Sequence, residues 1–190
     1  RSNDKFDAYV LSESSLFVFP TKLVLKTCGT THLLAGVPNI LKYAAEVGME
    51  PRRVKFTRSS FDKPDLQPEL HASFDDETAF LEKHFGNLSA AGGSSYILGS
   101  KLKGVQWHVY VSGDACPLQD ARPKASLEVC MTHLNRAHCE EHFYRKEETF
   151  VSSAQTTTDS GIRSIFEEFD IDDYVFEPCG YSMNGLHEKG

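Results

Sequence analysis

The sequence predicts an α+β protein built on mainly antiparallel sheet, and three observations carry that prediction. Apolar and aromatic runs of strand length follow one another across separators too short for a helical crossover. Other stretches place their apolar residues at helical spacing. Those helical stretches interrupt the strands as separate blocks.

Residues 6–11 and 16–19 are apolar and aromatic, and 22–26 reads Lys-Leu-Val-Leu-Lys. Ser12-Glu13-Ser14-Ser15 and Pro20-Thr21 separate them, so the three are antiparallel neighbours. Thr30 or Thr31 caps a helix whose stripe is Leu33, Leu34, Val37, Ile40, Leu41 and Ala44, with Pro38 near its first turns and Gly48 at its end. Residues 57–72 are polar, contain Pro64 and Pro68, and read as a surface loop. Helical spacing returns over 74–85 and stops at Gly86. A small-residue turn at 90–94 leads into a strand at 96–98. Residues 105–111 alternate as a half-buried strand, and 112–123 form a loop. A strand over 127–134, a polar helix over 136–146, a short helix around Ile162, Ile165 and Phe166, and a strand at 174–176 complete the prediction. Thr156 to Asp159 are expected to precede that short helix.

The 190 residues are ample for a buried core, and 40% hydrophobic with 25% charged residues is a globular balance. Acidic side chains outnumber basic ones, 27 to 20, which disfavours a nucleic-acid partner. No apolar run approaches the roughly 20 residues that span a bilayer, so no membrane partner is expected. Cys28, Cys116, Cys130, Cys139 and Cys179 are odd in number and form no CxxC pair. Reduced thiols in a cytoplasmic protein fit that pattern better than a disulfide scaffold.

Two short stretches carry candidate chemistry. Ser12-Glu13-Ser14-Ser15 lies between apolar strands, where a polar tetrad is ordinarily a tight turn. Its functional alternative is a hydroxyl held where it attacks its own preceding carbonyl. Cys28, in Lys26-Thr27-Cys28-Gly29-Thr30-Thr31, falls between a strand end and a helix start. There it serves either as a small buried apolar residue or as a thiol tuned by its surroundings.

With these residues in place, the chain resembles eukaryotic S-adenosylmethionine decarboxylases. The resemblance is carried by Tyr9-Val10-Leu11-Ser12-Glu13-Ser14-Ser15-Leu16-Phe17-Val18, by Leu25-Lys26-Thr27-Cys28-Gly29-Thr30-Thr31, and by Ser160-Gly161-Ile162-Arg163. Phe176-Glu177-Pro178-Cys179-Gly180-Tyr181-Ser182-Met183-Asn184-Gly185 completes it. Trp107-His108-Val109-Tyr110 and Leu127-Glu128-Val129-Cys130-Met131-Thr132 are similar to plant members in particular.

The resemblance implies a four-layer αββα sandwich with two mainly antiparallel sheets, incomplete here. Residues 1–190 would be the central portion of a single domain. Residues 1–13 would end the β chain and 14–190 begin the α chain after self-cleavage between Glu13 and Ser14. Ser14 would become a covalent pyruvoyl group, with no metal and no pyridoxal phosphate. That group would hold S-adenosylmethionine as a Schiff base for decarboxylation, yielding the aminopropyl donor of spermidine and spermine biosynthesis.

Further roles are implied residue by residue. Cys28 matches the proton donor, Glu13 the cleavage-site and active-site carboxylate, and Ser182 a serine that assists processing. Leu11, Glu13 and Phe176 match substrate-binding positions, with Phe176 stacking on adenine or serving as a strand core residue. The base for the elimination, a ribose carboxylate and a second stacking aromatic would lie outside residues 1–190, leaving this piece alone inactive. Lys55 and Lys124 stand at acidic positions of the animal putrescine site, where Glu128 is retained. This implies no putrescine requirement. Expected partners are the substrate and the chain's own cleaved β portion, with a homodimer among the assemblies.

Two alternatives compete. The chain could be a catalytically inactive relative acting as a binding or activating partner. His138-Cys139-Glu140-Glu141-His142 also fits the H-x-x-E-H pattern of zinc peptidases, with His138 and His142 as ligands and Glu141 as base. Its bland reading is a solvated helix face.

Overall fold

The computed structural model describes residues 1–11, 13–113, 134–144, 151–178 and 180–187. They divide into two compact units, one made of Arg1–Gly29 with Ser126–Gly190 and the other of Thr30–Ala125. The mixed α+β class with antiparallel sheets holds throughout.

In the first unit, β1 (Asp7–Leu11), β2 (Ser14–Phe19) and β3 (Lys22–Thr27) form an antiparallel sheet in chain order, as the short separators predict. The alternation sends Ala8 and Phe17, paired across β1 and β2, to one face. There, with Phe6, Phe19 and Leu186, they build an apolar cluster, and the Phe6 and Phe19 rings stack at 4.6 Å. Tyr9 and Leu11 occupy the other face and stay about half exposed. Among its described residues this unit has three helices: α3 (Arg136–Phe143), α4 (Ser153–Asp159) and α5 (Ile162–Ile165). It also holds a two-stranded ribbon of β7 (Asp170–Val175) and β8 (Tyr181–Leu186).

The second unit holds α1 (Val37–Glu46), β4 (Arg53–Ser59), α2 (Phe74–Phe85), β5 (Ser94–Leu98) and β6 (Trp107–Gly113). Its sheet runs β4–β6–β5, all antiparallel. Leu34, Phe56, Leu81, Phe85 and Tyr110 form the buried core. Ser73 caps α2 by accepting the Asp76 N–H at 3.1 Å. Asp75, Asp76 and Glu77 in the first turn and Lys83 and His84 in the last complement the helix dipole.

Four elements depart from the sequence expectation. The predicted loop over 57–72 begins inside β4, since residues 57–59 belong to that strand. Arg58, inside that predicted loop, is drawn inward by the buried Glu77, at 2.6 Å from Nε. The first helix starts at Val37 behind a 3-10 turn over Leu34–Gly36, with Gly36 rather than a threonine at its N-cap. Residues 153–159 form a helix of their own, capped by Ser152 accepting the Gln155 N–H at 3.2 Å. Finally, β8 is a strand despite Asn184 and Gly185, because full pairing with β7 fixes it. The predicted strand at 127–134 falls outside the described residues except for its last position.

Candidate active site

The β1–β2 hairpin closes with Leu11 paired to Ser14, so Glu13 lies in the turn and Ser14 opens β2. Ser14 also pairs with Thr27, the last residue of β3. One step beyond, Cys28 sits beside the turn. Its backbone N–H donates to the Glu13 carbonyl oxygen at 2.9 Å, and its Sγ donates to the same oxygen at 3.4 Å. The carbonyl that precedes Ser14 therefore accepts two hydrogen bonds from one residue. Both polarise the C=O bond and aim at the oxygen where negative charge grows if the carbon is attacked.

Cys28 is exposed as a residue, yet partial burial of its thiol pushes the pKa above the ordinary thiol value, and the Glu13 carboxylate adds to the rise. The thiol is thus held in its protonated, donating form. Gly29 follows at φ +64°, and a Cβ there would stand 3.2 Å from Glu13 Oε2. The left-handed backbone and the open space together let the Glu13 side chain lie over this residue. Ser14 itself makes no side-chain hydrogen bond among the described residues, which leaves its hydroxyl available.

Ser182 and Phe176 belong to the other part of this unit. Ser182 stands opposite Tyr174 in the β7–β8 ribbon, and Tyr174 contacts the Phe176 ring at 4.8 Å. By alternation Tyr174, Phe176 and Ser182 share one face. The Phe176 N–H donates to the Gly180 carbonyl at 2.9 Å and extends the ribbon past β7. The Glu177–Pro178 peptide in its turn is cis.

The opposite face of the ribbon is tied to α4. Thr157, fully buried, hydrogen-bonds through Oγ1 to the Asp173 carboxylate and to Tyr181 Oη, the latter at 2.6 Å, and the same oxygen lies 2.9 Å from the Ser153 carbonyl oxygen. Sequence reasoning missed this cluster. Its signal, a threonine run before an aspartate, reads only as the stretch that precedes the short helix.

The remaining predicted residues fall elsewhere. Leu11 is about half exposed at the end of β1. Lys55 is exposed on β4 in the second unit, paired with Val111. Lys124 and Glu128 lie outside the described residues. His138 and His142 sit one turn apart on α3 with ring centroids 4.4 Å apart. Among the described residues no group of three or more His, Cys, Asp or Glu side chains is arranged to hold a metal ion. No helix among them is long and apolar enough to cross a membrane.

These features describe an α+β protein of antiparallel sheets that holds a serine directly after a doubly hydrogen-bonded carbonyl. The profile of the adenosylmethionine decarboxylase family matches residues 1–190, and the chain belongs to that family. It is 46% identical over 186 residues to the S-adenosylmethionine decarboxylase proenzyme of Ipomoea batatas, covering 97% of this chain and 50% of the relative. Identity to the Nicotiana tabacum proenzyme is 48% over 185 residues, with the same coverage of both. The chain thus spans about half the length of the curated relatives it matches. A crystal structure of the Trypanosoma brucei AdoMetDC-delta26 monomer is similar with a TM-score of 0.56 and 21% identity, covering 92% of this chain and 60% of that one. At that identity the likeness speaks for the fold alone.

Proposed function

We propose that the protein containing this chain cleaves itself between Glu13 and Ser14 and then decarboxylates S-adenosylmethionine for spermidine and spermine synthesis. The observation that carries the reading is the Glu13 carbonyl, held by the N–H and thiol of Cys28 immediately before the Ser14 hydroxyl.

The Ser14 oxygen reaches the Glu13 carbonyl carbon through a five-membered ring. Its attack places negative charge on the Glu13 oxygen, where the two Cys28 donors stabilise it. Collapse breaks the Glu13–Ser14 amide bond and leaves an ester with a free amine on Ser14. Loss of the Ser14 α-proton expels the Glu13 carboxylate. Water then replaces the nitrogen, which departs as ammonia, so that residue 14 ends as a pyruvoyl group. Ser182 assists this processing. Residues 1–13 and 14 onward thereby become the two chains of one enzyme.

The pyruvoyl ketone supplies the electron sink for decarboxylation, a task given to pyridoxal phosphate in other enzymes. Cys28, its thiol kept protonated, delivers a proton to the carbon that has lost carboxylate. Glu13, Leu11 and Phe176 hold the substrate, with the Phe176 ring on the adenine. The same reading places the chain as the central part of one domain, with its sheets stacked as the inner layers of an αββα sandwich. It also assigns the protein to the cytoplasm and makes it independent of putrescine, with Lys55 and Lys124 replacing acidic residues of the animal putrescine site. Activity strongly raised by putrescine would remove that last assignment.

Mass spectrometry of the full-length protein tests the proposal. Two pieces split at Glu13/Ser14, the larger with a pyruvoyl terminus, are expected. Ser14→Ala remains a single chain. A wild-type protein that stays uncut overturns the reading and favours the inactive-partner alternative.

A further inference from the structure

The β7–β8 ribbon presents Ser182 and Phe176 on one face and is fastened through the other. Thr157 is the fastening point. Its side chain is fully buried on α4 and meets Asp173 of β7 and Tyr181 of β8 at one oxygen. A threonine hydroxyl has one proton and two lone pairs. The Asp173 carboxylate and the Ser153 carbonyl can only accept, so the one proton goes to the charged carboxylate, the stronger acceptor, and Tyr181 donates into the oxygen. The bond order of the cluster is therefore Tyr181 to Thr157 to Asp173, crossing both strands and the helix.

Tyr181 is also the residue directly before Ser182. Its ring packs on Phe143 at 5.5 Å, and the neighbouring Gly180 N–H donates to the Phe143 carbonyl at 2.9 Å. Burial foremost pushes the Tyr181 phenol pKa up and the Asp173 carboxylate adds to the rise, while the Thr157 hydrogen bond and the Arg163 charge oppose it. The start of β8 is thus held from α4 and from α3, so the backbone carrying Ser182 has little freedom to shift or rotate.

We propose that Thr157 is a positioning residue for self-cleavage, locking β7 to β8 through Asp173 and Tyr181 so that Ser182 is held at a fixed orientation. The inference rests on the reading that Ser182 assists processing. Small displacements of a reacting constellation cost on the order of 100-fold in rate, and loss of one anchor among several gives a smaller effect.

The test follows cleavage of the full-length proenzyme over time at a temperature where circular dichroism shows every variant folded. Thr157→Val keeps the shape and removes the hydroxyl, and it slows cleavage by about tenfold. Thr157→Ser restores the wild-type rate. Thr156→Val, which removes a buried hydroxyl from the same helix outside the cluster, also cleaves at the wild-type rate. If Thr157→Val does not fold, Tyr181→Phe removes the same link with the ring in place and is expected to slow cleavage similarly. Wild-type cleavage in Thr157→Val or its substitute overturns the inference, as does equal slowing in Thr156→Val. A wild-type protein that never cuts defeats the Glu13–Ser14 reading itself, a separate outcome.

Discussion

Cys28 donates twice to the carbonyl oxygen of Glu13, a residue fifteen positions earlier, through its backbone N–H at 2.9 Å and its Sγ at 3.4 Å. One residue thereby serves two steps of the proposed chemistry. The N–H and thiol first support charge on an oxygen, and the thiol later acts as a proton donor. Both uses need the protonated thiol, and burial with a neighbouring carboxylate favours that form.

Replacing Cys28 with alanine removes the weaker, longer donor and leaves the backbone N–H in place. Self-cleavage of the full-length protein is expected to slow by about tenfold rather than stop, less than the full loss of an oxyanion donor. Gel-resolved cleavage over time measures it. Complete block in Cys28→Ala would mean that the thiol, and not the amide, carries the stabilisation.

Gly29→Ala addresses the backbone of the same turn. Alanine at φ +64° costs about 1–2 kcal/mol, and its methyl presses on the Glu13 carboxylate at 3.2 Å. Lower stability in urea denaturation and slower cleavage are expected together. Unchanged values for both would show that the turn relaxes freely around a side chain.

Glu77 is fully buried and bridges Arg58, at 2.6 Å and 2.8 Å from Nε, and His71 Nδ1, at 2.7 Å. His71 Nε2 accepts the Leu34 N–H at 3.4 Å, so the proton on this ring sits at Nδ1 and points to the carboxylate. Glu77→Gln leaves the largely buried Arg58 side chain without its counter-charge. A loss of about 3–5 kcal/mol is expected for breaking one side of a buried pair, read as a lower denaturation midpoint. A loss under about 1 kcal/mol, the range of an exposed pair, would show that water reaches the site.

Arg58 Nη1 lies 3.1 Å from His108 Nδ1, which must accept and therefore keep its lone pair. Burial first, then the Arg58 charge, lower the His108 pKa, with Glu77 opposing. The folded state thus disfavours the imidazolium, and the unfolded chain binds the extra proton. Stability from this group is complete above the ordinary imidazole value of about 6.5 and falls as pH drops below it. His108→Gln is expected to flatten the slope of stability between pH 7 and pH 5. An unchanged slope would assign it to other groups.

Much of the fold was legible because its signals are local. The three-strand sheet at the start follows from apolar and aromatic runs joined by short separators, and α2 from its apolar spacing and stopping glycine. Residues 153–159 and β4 were not legible for a shared reason. Threonine and arginine score as polar text, and nothing nearby announces that Thr157 meets Asp173 and Tyr181, or that Arg58 meets Glu77.

The sequence by itself determined the family motifs and the order Glu13–Ser14–Cys28, since covalent adjacency settles which hydroxyl faces which carbonyl carbon. Tertiary structure decided what surrounds that carbonyl. Only hairpin pairing brings Cys28 back beside Glu13 and aims its N–H and thiol at one oxygen, and only helix-to-ribbon packing fastens the strand that carries Ser182. Hydrogen bonds depend on distance and direction in space, and these run between residues that the chain keeps 15 to 24 positions apart.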